Sequence, residues 1–165
     1  MEYRIVEREP VTLLARVEQF PSEAITDPEK VSYTIPDFWK KSMESGVMQV
    51  LEKHAATSDI YGACTPISQE KGTFEFEIGV NHDGGEVPDG YQLWRLSSSK
   101  WVVFKCIGTT PSSVSETWDM INREFEEQTG YKLLEETEYE FYPEEKEANV
   151  FCELWVPLKN SQIKL

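Results

Sequence analysis

The sequence predicts an α+β fold built from two similar halves. Eight short runs show strand-like patterns of apolar residues, and in two places a pattern with helical spacing separates them. The stretch "NHDGGEVPDG", residues 81–90, is dense in turn-forming residues and divides the strands into two groups of four. Each half therefore has the order strand, strand, helix, strand, strand.

The first predicted helix starts at Pro36, since proline is favoured in the first turn of a helix, and runs to about Ala55. The second starts within "TTPSSVSETW" and ends before Gly130, a residue type typical of the position after a helix. The strands are predicted at about residues 3–8, 11–18, 60–67, 73–81, 90–96, 101–107, 137–142 and 149–157.

The two halves are interpreted as a duplication within one domain, residues 1–165, with repeats at 1–82 and 88–158. Identities between the halves are few, and two β-rich segments also align by chance. An offset of 79 residues aligns Trp39 with Trp118 and Tyr61 with Glu140, and an offset of 76 aligns Glu77 with Glu153.

Composition excludes several classes of partner. The chain has 16 Lys and Arg against 30 Asp and Glu, for a net charge of −14 and a pI of about 4.6. Such a chain is unsuited to nucleic acid or to an anionic membrane surface, because both are bound mainly through Lys and Arg. Without a signal peptide or an apolar run long enough to span a membrane, it is predicted to be cytoplasmic.

Alternation within the last strand assigns its side chains to two faces. Val150, Cys152, Leu154 and Val156 form an apolar face suited to packing under a helix, and 151, 153 and 155 point the other way. We expect the same surface to receive Glu138, Glu140 and Tyr142 from the preceding strand, with Tyr139 and Phe141 facing inward.

A surface with carboxylates between aromatic rings is suited to an amphipathic cation. Rings contribute about 0.5–2 kcal/mol each through cation–π attraction, and a carboxylate adds a charge-assisted hydrogen bond of about 1.5–3 kcal/mol. The alternative is that Glu153 lies on a solvated sheet face, with the rings serving only shape. Trp39 belongs to an apolar helix stripe typical of a core, although a ring near the start of a helix also reaches a pocket rim.

Other chemistry has little support in the sequence. His54 and His82 have no partners at metal-ligand spacing, so no metal is predicted. Phosphate loops, nucleophile elbows and dinucleotide fingerprints are lacking, so no cofactor is predicted.

A larger set of motifs resembles a known family. The run "WVVFKCIGTTPSSVSETWDMINREFEEQTGY", then "YEFY" and "CELWVPLK", is similar to the second half of GyrI-like, AraC-type effector-binding domains. The similarity extends to "YRIVEREPVTLLAR", "IPDFWKKSM" and "IYGACT" in the first half, and so covers nearly the whole chain.

The resemblance implies a duplicated β-α-β-β unit with pseudo-twofold symmetry. It implies an antiparallel sheet with two helices on one side and a cleft between the halves for lipophilic, often cationic, small molecules. Matched residue by residue, the family's pocket glutamates fall on Glu140 and Glu153, the following aromatic on Trp155, and an aromatic of the opposing cleft wall on Tyr61.

The chain is therefore predicted to be a stand-alone binding protein that senses or sequesters an amphipathic, cationic, drug-like molecule. Transcriptional members carry a helix-turn-helix domain ahead of this module, whereas the module here begins at about residue 2, so direct DNA binding is not expected. The predicted ligand-binding residues are Glu140, Glu153, Trp155, Tyr61, Phe151, Tyr142, Trp94 and Trp39.

Two alternatives remain open. A hydrolase that opens strained cyclopropane rings would use Glu153 or Glu140 to position or activate water. A protein-interaction module of the gyrase-inhibitor kind would use its acidic surface to contact a regulator or a topoisomerase.

Overall fold

The computed structural model describes residues 2–159 and contains eight β-strands in one antiparallel sheet. All eight lie where the sequence predicts strands, although the third starts earlier, at Ala55. The strands are β1 (Arg4–Glu7), β2 (Val11–Pro21), β3 (Ala55–Cys64), β4 (Thr73–His82), β5 (Gln92–Leu96), β6 (Lys100–Ile107), β7 (Glu138–Tyr142) and β8 (Val150–Pro157).

The predicted first helix is two helices. Thr34 caps its start, since the Thr34 hydroxyl accepts from the Asp37 N–H and the Asp37 carboxylate accepts from the Thr34 N–H. Gly46, with φ of 86°, then interrupts the helix. The helices are α1 (Glu23–Thr26), α2 (Ile35–Glu44), α3 (Val47–Lys53), α4 (Ser112–Met120) and α5 (Glu126–Thr129), and a π-helical turn, Ile121–Phe125, joins α4 to α5.

The strand order is β1-β6-β8-β7-β3-β4-β2-β5. If β1, β2, β3 and β4 are exchanged with β5, β6, β7 and β8 respectively and the order is then read backwards, the same order results. The sheet therefore has a pseudo-twofold arrangement. The two halves exchange their first strands, because β1 pairs with β6 and β5 pairs with β2. The predicted α+β fold is confirmed, and the repeat boundaries stay a prediction.

The register at the centre locates the pseudo-twofold axis. Gly62 of β3 pairs with Glu140 of β7, and a twofold through this pair relates Tyr61 to Tyr139. The predicted alignment of Tyr61 with Glu140 is therefore wrong by one residue, because few identities constrain it. The neighbouring pairs extend the same twofold outward: they relate Gly79 to Trp155, and hence Glu77 to Glu153.

The short link between β1 and β2 shows that the sheet folds over. Arg8 to Pro10 join β1 to β2, which lie six strand positions apart in the sheet. Flat strands at that separation would be about 29 Å apart, whereas the four steps from Glu7 to Val11 reach at most about 14 Å. The two half-sheets must therefore approach each other at this end.

The buried apolar side chains of residues 2–159 form three cores. The first lies under α2 and α3 and includes Phe38, Leu51, Phe76 and Ile78; the second lies under α4 and includes Phe104, Ile121, Phe125 and Leu154. The third is on the other side of the sheet and includes Leu13, Tyr61, Trp101, Tyr139 and Trp155. Below, the "helix side" of the sheet carries the first two cores and the "opposite side" carries the third. No helix within residues 2–159 is long and apolar enough to cross a membrane.

Candidate functional site: a central strip between the two helical cores

The predicted site residues lie on two different sides of the sheet. β7 pairs with β8 so that Glu140 is opposite Leu154 and Phe141 is opposite Glu153. Residues directly opposite each other point to the same side, so Glu140 is on the helix side with Leu154. Glu153 and Trp155 are on the opposite side. The prediction that Glu140, Glu153 and Trp155 share one face is wrong, because alternation fixes the faces within a strand and register fixes them between strands.

The helix-side residues of β3 and β7 form a strip between the first and second cores. The register places three residues of β3 opposite three of β7, with one pair on the pseudo-twofold axis and one pair on each side of it. Two of the six are acidic, and Cys64, Glu138, Glu140 and Tyr142 keep some accessible surface. This central strip comprises the pairs Ile60 with Tyr142, Gly62 with Glu140, and Cys64 with Glu138.

The two carboxyl groups of the central strip are partly buried and have no ion-pair partner among residues 2–159. Burial raises the pKa of Glu140 to about 7, although the Tyr142 hydroxyl, which donates to the Glu140 Oε1 at 2.5 Å, opposes the shift. Burial, and secondarily the charge of Glu140, raises the pKa of Glu138 to about 8. Among residues 2–159, no Lys, Arg or His forms an ion pair with either group.

An aromatic wall stands beside Glu140. Trp39 of α2 lies directly on Gly62, so that a Cβ added to Gly62 would be 2.6 Å from the Trp39 Cζ2. The Trp39 ring also meets the Tyr142 ring edge-on, with centroids 5.4 Å apart. Two of the predicted aromatic residues, from different halves, thus adjoin the same carboxylate.

Phe151 extends this wall, although alternation predicts it on the side of Glu153. It packs against the second core and meets the Tyr142 ring edge-on at 5.8 Å. A register shift between β6 and β8 beside Phe151 explains the difference, since Cys106 pairs with Cys152 and Ile107 with Val150. A cavity of about 190 Å³ adjoins this end of the strip, with Tyr142, Phe151 and Cys152 in its lining.

On the opposite side, the chain supplies its own cations to the predicted aromatic surface. The Arg8 guanidinium donates to the Tyr61 hydroxyl at 2.8 Å and to the Tyr139 hydroxyl at 2.9 Å. Its Cζ lies 5.4 Å from the centroid of the Trp155 ring and 5.8 Å from that of Tyr61. Tyr61, predicted for a cleft wall, is fully buried in this contact.

Glu153 is likewise already paired. Arg4 lies 3.0 Å from its Oε2, and the Trp155 indole N–H donates to its Oε1 at 3.1 Å. Trp94 is also on this side, where β5 places it opposite Leu13 and it packs against the third core. The structure therefore separates Trp155, Tyr61 and Trp94 from Glu140, Tyr142 and Trp39. Glu153 is also on the opposite side, although it contributes, with Tyr142 and Phe151, to the lining of the cavity at the end of the strip.

Sequence reasoning omitted Glu138, Arg4 and Arg8 from the site residues. Glu138 was detectable, since it is two residues from Glu140 on the same strand and so on the same side. No signal in the sequence indicates that the two arginines contact residues 53 to 149 positions away. The Arg4 contact depends on the order and register of β1, β6 and β8, and the contact of Arg8 with Tyr61 depends on the folding-over of the sheet. No group of three or more His, Cys, Asp and Glu within residues 2–159 is placed to hold a metal ion.

Comparison with known proteins agrees with this architecture. A family model described as integron-associated effector binding protein, Cass2, matches residues 4–158, and the chain belongs to that family. A comparison with curated protein sequences gives no significant match.

Solved structures share the fold at low sequence identity. SAV2435 bound to tetraphenylphosphonium matches with a TM-score of 0.78 and 22% identity, over 97% of this chain and 95% of that one. The integron cassette protein VCH_CASS2 of Vibrio cholerae matches with a TM-score of 0.68 and 21% identity, over 95% of each chain. The EcmrR C-terminal domain matches with a TM-score of 0.61 and 13% identity, over 96% of this chain and 97% of that one.

Proposed function

We propose that this protein binds amphipathic organic cations at the central strip, with Glu140 as the principal anchor. The observation that carries the proposal is the partial burial of two neighbouring carboxyl groups, Glu138 and Glu140, without a cationic partner among the described residues. A buried carboxylate is costly unless a charge offsets it, and a ligand cation supplies that charge.

The neighbouring rings match the apolar part of such a ligand. Trp39, Tyr142 and Phe151 together present π-faces and edges from both halves beside Glu140. Because Trp39 lies on Gly62, a ligand must displace or stack on this ring to reach the floor of the strip. Tetraphenylphosphonium, which SAV2435 binds, combines one positive charge with four phenyl rings and is a suitable probe.

The charge contribution is tested by comparing Glu140→Gln with Glu153→Gln. Binding is measured by quenching of tryptophan emission with tetraphenylphosphonium, with triphenylphosphine oxide as the neutral control. Tetraphenylphosphonium has no hydrogen-bond donor, so Glu140→Gln removes only the Coulomb attraction between the carboxylate and the cation. At an effective dielectric constant of about 20 and a separation of about 6–10 Å this attraction is about 1.5–3 kcal/mol, and its loss should lower affinity by about 10- to 150-fold. Glu153→Gln, whose carboxylate is paired with Arg4 on the other side of the sheet, should stay within about threefold of the wild type.

The affinity for tetraphenylphosphonium should depend on pH in a direction that the pKa of Glu140 fixes. Since the pKa of Glu140 is about 7 in the free protein, the carboxylate form grows as pH rises from 6 to 8, and cation affinity should rise with it. Equal losses in Glu140→Gln and Glu153→Gln, or an affinity that falls over this range, would contradict the assignment.

The hydrolase and protein-interaction hypotheses stay predictions. Both would use groups already described, a carboxylate of the strip for water activation and the acidic surface for a basic protein.

A further inference from the structure

Arg8 lies where the chain passes from one half of the sheet to the other. It follows β1, which pairs with β6 of the second half, and it precedes β2 of the first half. Its backbone N–H donates to the Ser99 carbonyl at 2.8 Å, in the equivalent link between β5 and β6. The backbone of Arg8 is thus tied to both crossing points of the chain.

The Arg8 side chain bonds a pair of tyrosines related by the pseudo-twofold axis. Tyr61 belongs to β3 and Tyr139 to β7, and one guanidinium donates to both hydroxyls. Tyr61 also donates to the Asn81 side-chain oxygen at 3.1 Å, which orients its hydroxyl. The planar fork of arginine matches two acceptors at once, which a lysine ammonium does not do with the same geometry.

The bonded tyrosines are the chain neighbours of the floor of the central strip. Tyr61 immediately precedes Gly62, and Tyr139 immediately precedes Glu140. Gly62 and Glu140 pair across the junction of the two halves on the helix side. Any change in the separation or angle of β3 and β7 at the tyrosines is therefore transmitted within one residue to the strip.

We propose that Arg8 is a positioning residue. From the opposite side of the sheet it sets the separation and angle of β3 and β7 at the central strip, and so it selects ligands by size. The inference rests on the proposed function for its ligand. Besides the β3–β7 backbone ladder, the Arg8 guanidinium is the charged group that bonds side chains of both strands of the junction, whereas Trp39 and Tyr142 on the helix side meet each other by ring packing. A ligand displaces two rings in van der Waals contact more easily than it disrupts the pair of hydrogen bonds donated by one guanidinium, because dispersion contacts are individually weaker than charge-assisted hydrogen bonds.

The test compares Arg8→Met with Arg16→Met. Arg16 is a matched control because it also lies over a tyrosine ring, that of Tyr91 at 5.5 Å, and donates to a neutral acceptor, the Gly90 carbonyl. Neither of these contacts involves β3 or β7. Affinities are measured for a small cation, tetraethylammonium, and a large one, tetraphenylphosphonium. We expect Arg8→Met to change the ratio of the two affinities by at least about fivefold, and Arg16→Met to leave it unchanged.

Backbone hydrogen exchange gives a second readout that needs no ligand. The amides of Gly62 and Glu140 should exchange faster in Arg8→Met than in wild type, and no faster in Arg16→Met. If Arg8→Met does not fold, the double variant Tyr61→Phe with Tyr139→Phe removes both acceptors and keeps the rings. In a folded variant, an unchanged affinity ratio would overturn the proposal, and so would unchanged exchange at Gly62 and Glu140.

The two proposals fail differently. If wild type binds neither cation, the proposed function fails, while the exchange measurement still decides whether Arg8 holds the junction. If wild type binds both and the ratio is insensitive to Arg8, only the present inference fails.

Discussion

Glu77 and Glu153 are related by the pseudo-twofold axis and have opposite surroundings. Glu153 has Arg4 and the indole N–H of Trp155 as partners. Glu77 is fully buried, both of its oxygens are without a hydrogen-bond partner, and its cross-strand neighbours are Ala63 and Val17. Burial, with a smaller effect of Glu75, raises the pKa of Glu77 to about 9, so Glu77 carries a proton at neutral pH.

This protonation predicts the direction of a pH effect on stability. The unfolded chain releases the Glu77 proton near pH 4.5, and the folded chain keeps it until about pH 9. The free energy of unfolding therefore falls as pH rises between these values, by up to about 1.4 kcal/mol per pH unit from this group. In Glu77→Gln that contribution is removed, so urea denaturation should show a smaller loss of stability from pH 5 to pH 8 than in wild type.

Glu138 and Glu140 contribute in the same direction, so the variant keeps part of the slope. Glu70→Gln, at an exposed position between β3 and β4, is the matched control and should follow the wild type. An identical pH dependence in Glu77→Gln and wild type would show that Glu77 is ionised in the folded protein.

At the scale of elements, α2 approaches the sheet closely at Gly62. Gly62 has no side chain, and this allows the Trp39 ring to lie on β3; a Cβ at Gly62 would also be 3.0 Å from the Phe76 Cζ. The first core and the central strip meet at this point, because Trp39 packs against Phe76 and Tyr142 alike. A glycine in mid-strand here has a packing role.

Gly62→Ala should therefore destabilise the protein by about 1–3 kcal/mol, since the added methyl overpacks a tight contact. Trp39→Leu should lose stability on its own, because it removes a large ring. In the double variant the two losses should be less than additive by at least about 0.5 kcal/mol, since the smaller side chain leaves room for the methyl group. Denaturant titrations of the four proteins measure this coupling, and strict additivity would contradict the contact.

At the scale of the whole molecule, neither half has a complete sheet. β1 belongs to the first half in sequence and pairs in the second, whereas β5 does the reverse. The halves also share the β3–β7 ladder and the contacts of Arg8. We therefore expect the two halves to unfold as one cooperative unit and not as two independent folding units.

This organisation predicts fragment complementation. Residues 1–84 and 85–165, expressed separately, should each lack cooperative unfolding, because each leaves a first strand and the central ladder without partners. Mixing them should restore the far-UV circular dichroism of the intact chain and a single heterodimer peak by size exclusion. The full-length protein cleaved between Gly84 and Gly85 is the control, and cooperative unfolding of 1–84 alone would contradict the prediction.

Much of the fold was predictable from the sequence. Apolar alternation located all eight strands, and Gly130, whose φ is 76°, ended the second helix as expected. These features depend on local backbone preferences, which a short stretch of sequence expresses directly. The break at Gly46 and the π-helical turn were not predicted, because the apolar pattern continues through both.

The sequence by itself determined which residue types are available to the site: carboxylates and aromatic rings on β3, β7 and β8. Only the tertiary structure decided which of them act together. A shift of one residue in register moves a side chain to the other side of a sheet, and no local pattern fixes register between strands distant in sequence. The strand order β1-β6-β8 brings Arg4 to Glu153, and the folding-over that joins β1 to β2 brings Arg8 to Tyr61 of the other half. Glu138 and Glu140 are left as the acidic pair without an ion-pair partner among the described residues.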